Sequence, residues 1–595
     1  MSRILFDVAR PVVESDPARA DIACFVGLAR AIGAQLPQAV QDWLQVHGWT
    51  DGVTSTLAAD VALGDTQIKL ATPLAVGVRN ALFIDQEKMV VVAMDCTGTR
   101  LSVDRGAQGT VATAHAAGAL AQAAISQASR PIGPPFTDIP IPIESYPAFT
   151  ALFDPGGSPQ SFGTDYLATA VRSFFAQGGR RCYVVCMDAP VSSTDTVTDR
   201  RNKLAKLLPD SLFAADDRRS WHGVGHLGGL PDVSFLAVPD LPVLAASPQA
   251  PIAATTFPAP VGAVVFSECS PTATPLPPVP APPPMPPAPR LGPNDYPVWA
   301  ASLGTILTTI QASFREVQVV AAFPLPLDLS AAEASASLLS STLAQDVHDV
   351  IDTQMPEISG VGLSTAFLQL SYPWLKTSGS GVLSESLEPP DGLLTGILAR
   401  NALTRGAFMD ATKIVPSEVF DVSPLLPAQE TQVPSTPLVW DGISTKPLIT
   451  RLSLFGFTPA GLRLLSDVTA YPGEPYRPAR VHRLIAVLSR ASRRLGEQVV
   501  FQNNGPVLWA RVQKAIQQLL TRLWRMNALD GDTIQDAFSV RCDSSTMTQN
   551  DLDSGRLIAQ VTFQAAATIE LIRVTLAMET SGTSSQNVAL LAEAS

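Results

Sequence analysis

The sequence predicts a multidomain α/β (α+β) protein, with an α/β core, a small all-β insertion and a C-terminal domain. Three observations carry that prediction. The chain has 595 residues, too many for one compact domain at roughly 100–200 residues each. Between residues 131 and 245, amphipathic helical stretches alternate with short, wholly apolar runs such as Cys182–Met187. Between 51 and 125 the texture changes to short strand-like runs separated by Gly, Asp and Thr turns, as in a small all-β module.

Composition narrows the function. Hydrophobic residues make up 46% of the chain and charged residues 16%, below the usual ~25%. Such a chain has a large core to bury and is not disordered. A net charge of −12 argues against a protein whose whole surface binds nucleic acid. No apolar run reaches about 18 residues, so no transmembrane helix is predicted. The opening MSRILFDVARPVVESD lacks the basic-then-apolar pattern of a signal peptide. Six cysteines in this length do not make a disulfide framework, which points to a reducing cytoplasm.

In chain order, residues 1–20 read as an arm. Ile4, Phe6 and Val8 alternate as in a brief strand, and Pro11 and Pro17 bracket an extended segment. The α/β core takes 21–50 and 126–430, opening on a buried strand from Asp21, with the β-module of 51–125 inserted into it. The pattern predicts a strand and short helix within 136–153, a helix over 162–177 stopped by Gly178 and Gly179, and strands over 182–187 and 233–238. Residues 246–297 form a proline-rich loop, in which eleven of the twenty residues from Pro271 to Arg290 are proline. A helix over 298–315 and strands over 317–323 and 367–370 follow. The C-terminal domain, 431–595, carries helices over 479–495 and 506–526 and several strands.

Motifs that could carry chemistry are weak. Gly223, Gly225 and Gly228 spell GxGxxG, but Gly229, Leu230 and Pro231 follow where a dinucleotide site needs a helix, so a flexible turn is predicted. His222 and His226 are four apart, but glycines disfavour the helix that would aim both at one metal, and they read as surface-loop residues. Cys182 and Cys186 read as small core residues on one face of a strand. No metal, cofactor or catalytic site is nominated.

Charge is distributed unevenly. Ten Arg and Lys lie between Arg477 and Arg525 against Glu497 alone, so this window carries +9 and the remainder −21. On the helix over 506–526, Leu508, Val512, Ala515, Leu519 and Leu523 form the predicted apolar stripe. Arg511, Lys514, Gln518, Arg522 and Arg525 form a basic one. An acidic partner fits that face; DNA competes, but no recognition fold or interleaved aromatics support it.

Five segments occur in a telling order. YLATAVRSFFAQGGRRCYVVCM (166–187) is a helix–Gly-Gly–strand unit, and DVSFLAVPDL (232–241) a second core strand. LQLSYPWLKTSGSG (368–381) leads to LEPPDGLLTGILARNALTRGAF (387–408). FQNNGPVLWARVQKAIQQLLTRLWRMNALDG (501–531) precedes FSVRCD (538–543) and DLDSGRLIAQV (551–561). Together, over most of 130–580, they resemble the contractile tail sheath family of phages, R-type pyocins and contractile injection systems. The IDQEKMVVVAMDCTGTRLSVDRGAQGTVATAH stretch (84–115) resembles a small β-domain that recurs in phage tail proteins. Departures are local: LLSDVTAYPG (464–473) stands where the family has a Trp-Gly-Ala-Arg turn, and Gln502 replaces an acidic residue.

The resemblance implies a sheath-type core with a C-terminal interlocking domain and a structural role without enzymatic activity or cofactor. Subunits would form stacked six-subunit rings around an inner tube, extended and metastable until contraction, with baseplate and cap proteins as further partners. It implies neither direct nucleic-acid binding nor membrane insertion. Assembly would occur in the bacterial cytoplasm, as part of a phage tail or a releasable tail-like particle. The implied inter-subunit arm residues are Ile4, Phe6, Val8, Ile569, Leu571, Val574 and Leu576, and the implied tube-facing residues are Arg511, Lys514, Gln518, Arg522 and Arg525. The alternatives are a cap protein of the same fold, or an α/β hydrolase or ligand-binding protein.

Overall fold

The computed structural model describes residues 19–32, 36–46, 53–73, 81–85, 87–95, 97–107, 110–124, 136–154, 164–209, 221–249, 287–327, 363–432, 439–440, 443–444, 447–473, 476–499, 504–553, 556–566 and 571–579. The predicted arm residues Ile4, Phe6, Val8 and Ile569, and residues 250–286 of the proline-rich loop, lie outside these, while the loop's last residues instead enter a strand at Arg290–Leu291 and a helix at Tyr296.

Eight strands, numbered in chain order with those given below, form the central sheet. They are β1 (Ala23–Leu28), β8 (Pro140–Ile143), β9 (Cys182–Asp188), β10 (Phe235–Ala237), β12 (Gln318–Ala322), β14 (Leu368–Tyr372), β19 (Ser453–Thr458) and β20 (Gly461–Leu464). Their order is β20-β19-β14-β12-β10-β1-β9-β8. The six inner strands run parallel, and β8 and β20 are antiparallel edges. Residues in β1, β10, β12 and β14 are buried throughout, as a parallel sheet covered on both faces requires. Pro140 and Pro142 remove two donors from β8, which suits an edge.

Helices α1 (Gln38–Val46), α2 (Tyr146–Thr150), α3 (Tyr166–Ala176), α4 (Val197–Leu207), α5 (Leu241–Ala245), α6 (Tyr296–Ser313) and α7 (Asp391–Thr404) link these strands, and α8 (Ala428–Thr431) follows. Three short ladders complete the core: β11 (Arg290–Leu291) with β13 (Leu325–Pro326), β15 (Trp374–Thr377) with β16 (Val419–Ser423), and β17 (Val439–Trp440) with β18 (Ile443–Ser444). Several elements differ in extent from prediction. The first long helix begins at Tyr166 rather than 162, and β10 at Phe235 rather than 233. The helix expected over 298–315 spans Tyr296–Ser313, because Pro297 sits in its first turn. Of the two glycines after α3, only Gly178 is left-handed, at φ 102°. Gly179 instead allows close packing, since a Cβ there would lie 2.4 Å from the Phe174 ring.

The core does not end at residue 430 as expected. β19 and β20 complete the central sheet, and Leu448, Leu452, Leu454, Leu464 and Ala470 belong to its apolar core. Parallel pairing of β19 with β14 outweighs the sequence-level boundary. A second apolar core begins with α9 (Ala479–Val499) and α10 (Pro506–Arg525), followed by α11 (Ile534–Ala537) and α12 (Gln549–Asp553). Its sheet is β21 (Phe538–Arg541), β22 (Arg556–Gln564) and β23 (Leu571–Glu579). Alternate residues Leu557, Ala559, Val561 and Phe563 of β22 face this core.

The insertion is a separate antiparallel sheet of β2 (Val53–Thr56), β3 (Gln67–Lys69), β4 (Ala81–Ile84), β5 (Glu87–Met94), β6 (Arg100–Asp104) and β7 (Leu120–Ala124), in the order β2-β7-β4-β5-β6-β3. It has its own apolar core, from Leu57 to Ala121. Inside it Arg105 grips Glu87 at both carboxylate oxygens, at 2.6 and 2.7 Å, and His115 bridges Glu87 and Asp85. First and last strands β2 and β7 pair directly, Val53 opposite Ala123, so the module's entry and exit lie about 5 Å apart. Replacing Thr54–Ile125 with a short Gly/Ser linker is therefore expected to leave the remaining core folded. Circular dichroism and thermal melts check this; loss of the cooperative melt contradicts it.

Candidate interface surfaces and the groups that position them

Helix α10 places the predicted basic row as expected: Arg511, Lys514, Gln518, Arg522 and Arg525 are all exposed. From 511 to 525 they span about 21 Å of helix at 1.5 Å per residue. The buried stripe is Leu508, Val512, Ile516, Leu520 and Leu523 rather than one through Ala515 and Leu519, which are half-buried. The steps 508-512-516-520 follow four-residue spacing, close to the 3.6 period, and rotate the apolar face by one position. Trp509 and Trp524 flank it, donating to Asn504 Oδ1 at 2.7 Å and to the Gly531 carbonyl at 3.0 Å.

Beside α10 lies the β21–β22–β23 sheet. Leu571, Val574 and Leu576 sit on β23, which pairs antiparallel with β22 of the same chain from Leu571–Gln564 to Glu579–Arg556. In this chain those residues belong to an intramolecular strand, whereas the sequence reading makes them an arm given to a neighbour. A nine-residue ladder closed within one chain satisfies the strand's inner edge. β23 is the last strand in the sheet order, so its outer backbone edge has no strand partner among the described residues.

Not all of the +9 window is surface. Arg483 and Arg490 on α9 are buried, and Arg493 is half-buried. Arg483 forms a paired contact with Asp467 at 3.0 and 2.5 Å and donates to the Ala407 carbonyl. Asp467 also accepts from Gln369 on β14 and from the Ala411 N–H. Burial pushes the Asp467 carboxyl up, but Arg483 and these donors outweigh it and hold the group below the usual range. Next to this pair, burial drives the His482 ring down to about 3, so it is neutral against Phe367.

The glycine and histidine motifs also differ from prediction. Gly223–Gly229 is a 3-10 helix whose residues 223–227 are buried, not a flexible turn. A Cβ at Gly223 would lie 2.5 Å from the Leu207 carbonyl oxygen at the end of α4, which explains the glycine. His222 and His226 are not surface-loop residues: His226 is buried, and both bond Asp138, at 2.8 and 2.7 Å. Asp138, reaching them from just before β8, also accepts from the Gly223 N–H. No group of three His, Cys, Asp or Glu arranged for a metal occurs among the described residues. Cys182 and Cys186 are buried free thiols.

The parallel strands run in the sequence order 2-1-3-4-5-6, so the connections change direction between β1 and β10. In doubly wound folds a ligand crevice opens there, outside the strands' carboxyl ends. At this end of β1 the Asp240 carboxylate accepts from the Leu28 N–H at 2.8 Å, and it and Leu167 approach Gly27 so closely that a Cβ would not fit. Burial pushes Asp240 far above the ordinary carboxylate range. On α7, burial raises Asp391 to about 8 against a bond from the Gly392 N–H, and raises nearby Glu388 to about 7 against donors Ser173 and Thr377. Such groups bind protons more tightly folded than unfolded, so stability falls as pH rises through the interval between the two pKa values. His482 is half protonated in the unfolded chain at about pH 6.5 and neutral in both states about one unit higher, and its small contribution is common to wild type and variant. Between pH 6.5 and 9, Asp391→Asn is expected to remove about 2 kcal/mol of alkaline destabilisation, at 1.36 kcal/mol per pKa unit. Urea titrations at the two pH values check this; an unchanged pH slope contradicts it.

No family model matches the chain, and no curated protein matches it. Among solved structures it is similar to a chain of the anti-feeding prophage baseplate, at 18% identity over 73% of this chain and 86% of that one, with a TM-score of 0.45. It is similar to the sheath complex of an extracellular contractile injection system in its contracted state, at 17% identity, 72% and 83% coverage and a TM-score of 0.42. A sheath tail protein from Desulfitobacterium hafniense matches at 10% identity over 97% of this chain and 100% of its own, with a TM-score of 0.37. These three solved structures are a baseplate chain, a sheath complex and a sheath tail protein.

Proposed function

We propose that this chain is a structural sheath subunit of a contractile injection machine. It polymerises in stacked six-subunit rings around an inner tube and drives that tube forward by changing its packing. The observation that carries the reading is the two-faced helix α10, one face sealing the second core and the other presenting four cations in a row, in a domain whose sheet also ends on the open edge of β23. Those are surfaces for protein partners.

Heterologous contacts that do not close on themselves generate an open helical stack, and two packings of one subunit provide contraction without a bound nucleotide. The N-terminal arm and the β23 edge supply strand addition between neighbours. The insertion faces outward, where long insertions are tolerated. The row Arg511, Lys514, Gln518, Arg522 and Arg525 faces the tube. Each exposed charge pair contributes only ~0.2–1 kcal/mol, enough in repetition to set register yet weak enough to slip.

Reversing Arg511 and Arg522 to Glu tests this. Extended assembly on the tube is expected to fail while empty sheath-like tubes still form, as read by electron microscopy. Tube-filled extended particles at wild-type yield contradict the assignment of that face.

A further inference from the structure

The side chain of Arg490 is the least expected feature of the C-terminal domain. It projects from α9 into the central core and is 1% exposed. Its guanidinium donates from Nη1 to the Arg19 carbonyl at 2.7 Å, and from Nη2 to the carbonyls of Val233 at 3.1 Å and Glu316 at 3.4 Å. These three carbonyls stand just before β1, β10 and β12, which are neighbours in the sheet. One planar fork with five N–H groups thus caps the entrances of three adjacent strands, a geometry that a lysine ammonium does not reproduce.

The surroundings reinforce the contact. One turn before Arg490, Val487 packs with Ala20 and Ala407 in a small apolar cluster of its own. One turn after it, Arg493 bonds the Glu316 carboxylate and donates to the Pro231 carbonyl at 2.6 Å. Arg19 is itself fixed, its guanidinium 2.8 Å from the buried Asp21 carboxylate. The chain at Arg19 is therefore held by α9, 471 residues further along.

We propose that Arg490 couples the chain at Arg19, the entrance to β1, to the C-terminal domain, so that a pull applied at Arg19 reaches α9 directly. This rests on the sheath reading, in which the N-terminal arm joins neighbouring subunits. A neighbour drawing on that arm then acts on the joint between the central sheet and the domain that carries the basic row. Displacement at one subunit is passed to the tube-facing helix without first unfolding β1.

Arg490 is a positioning residue, and hydrogen exchange on the soluble full-length chain tests it. In Arg490→Gln, amides of residues 20–23 and of the middle of α9 are expected to exchange at least tenfold faster together, with β9 and β14 amides unchanged. Arg490→Lys, which keeps the charge but not the fork, is expected to fall between the two. Unchanged exchange at 20–23, or equal acceleration throughout the central sheet, overturns the coupling. If Arg490→Gln does not fold, the Lys variant decides alone: wild-type exchange at 20–23 overturns the proposal, and acceleration at 20–23 and the middle of α9 with β9 and β14 unchanged supports it. Electron microscopy of the same samples separates the two levels. Wild-type chain that forms no tubes contradicts the sheath reading, while the exchange result still decides whether Arg490 joins the two segments.

Discussion

Removal of residues 1–10 is expected to leave a folded, soluble subunit that does not polymerise. The deleted segment carries Ile4, Phe6 and Val8 in strand alternation and ends before Pro11. Ten extended residues reach about 33 Å, enough to cross to a neighbouring subunit and add a strand to an open edge. The fold itself does not depend on them, because the central sheet is anchored from Arg19 onward by Asp21 and Arg490. Analytical ultracentrifugation and thermal melts give the two readouts. The expected result is a wild-type melting transition with no large species. Polymers at wild-type yield would show that the arm is not the link.

Asp467→Ala is expected to cost about 3–5 kcal/mol, the range for breaking a buried ion pair by removing one partner. The carboxylate collects Arg483 of α9, Gln369 of β14 and the Ala411 N–H, so its loss leaves a buried guanidinium without its counter-charge. Replacing both partners, as in Asp467→Leu with Arg483→Met, is expected to recover most of that loss, since the desolvation cost goes with the pair. Urea titrations measure both variants. A single variant within 1 kcal/mol of wild type would mean that the pair does not hold α9 to the core.

What the sequence disclosed depended on the range of the interactions involved. β9 and α10 were legible because their signals are local: an apolar run in one, a two-faced periodicity in the other. The insertion's sheet was legible for the same reason, each strand being bounded by turn residues. The groups that join the two cores were not. Arg483, Arg490 and Arg493 look in sequence like members of a basic surface window. They turn inward because carbonyls and carboxylates from residues 19, 231, 233, 316 and 467 meet α9 in space. His222 and His226 fail as a local motif for the same reason, their partner Asp138 lying more than eighty residues away. On α10 both candidate rows contain apolar residues, and only packing on β21 and β22 chooses the one through Ile516 and Leu520. The misplaced boundary at 430 reflects a strand, β19, that pairs in parallel with a partner some eighty residues earlier.

Electron microscopy of the purified full-length chain, expressed alone, tests the central claim most directly. Hollow tubes with a regular axial repeat and sixfold symmetry in end views are expected. A uniformly dispersed monomer at assembly concentrations, with no tubes under any salt condition, would contradict it.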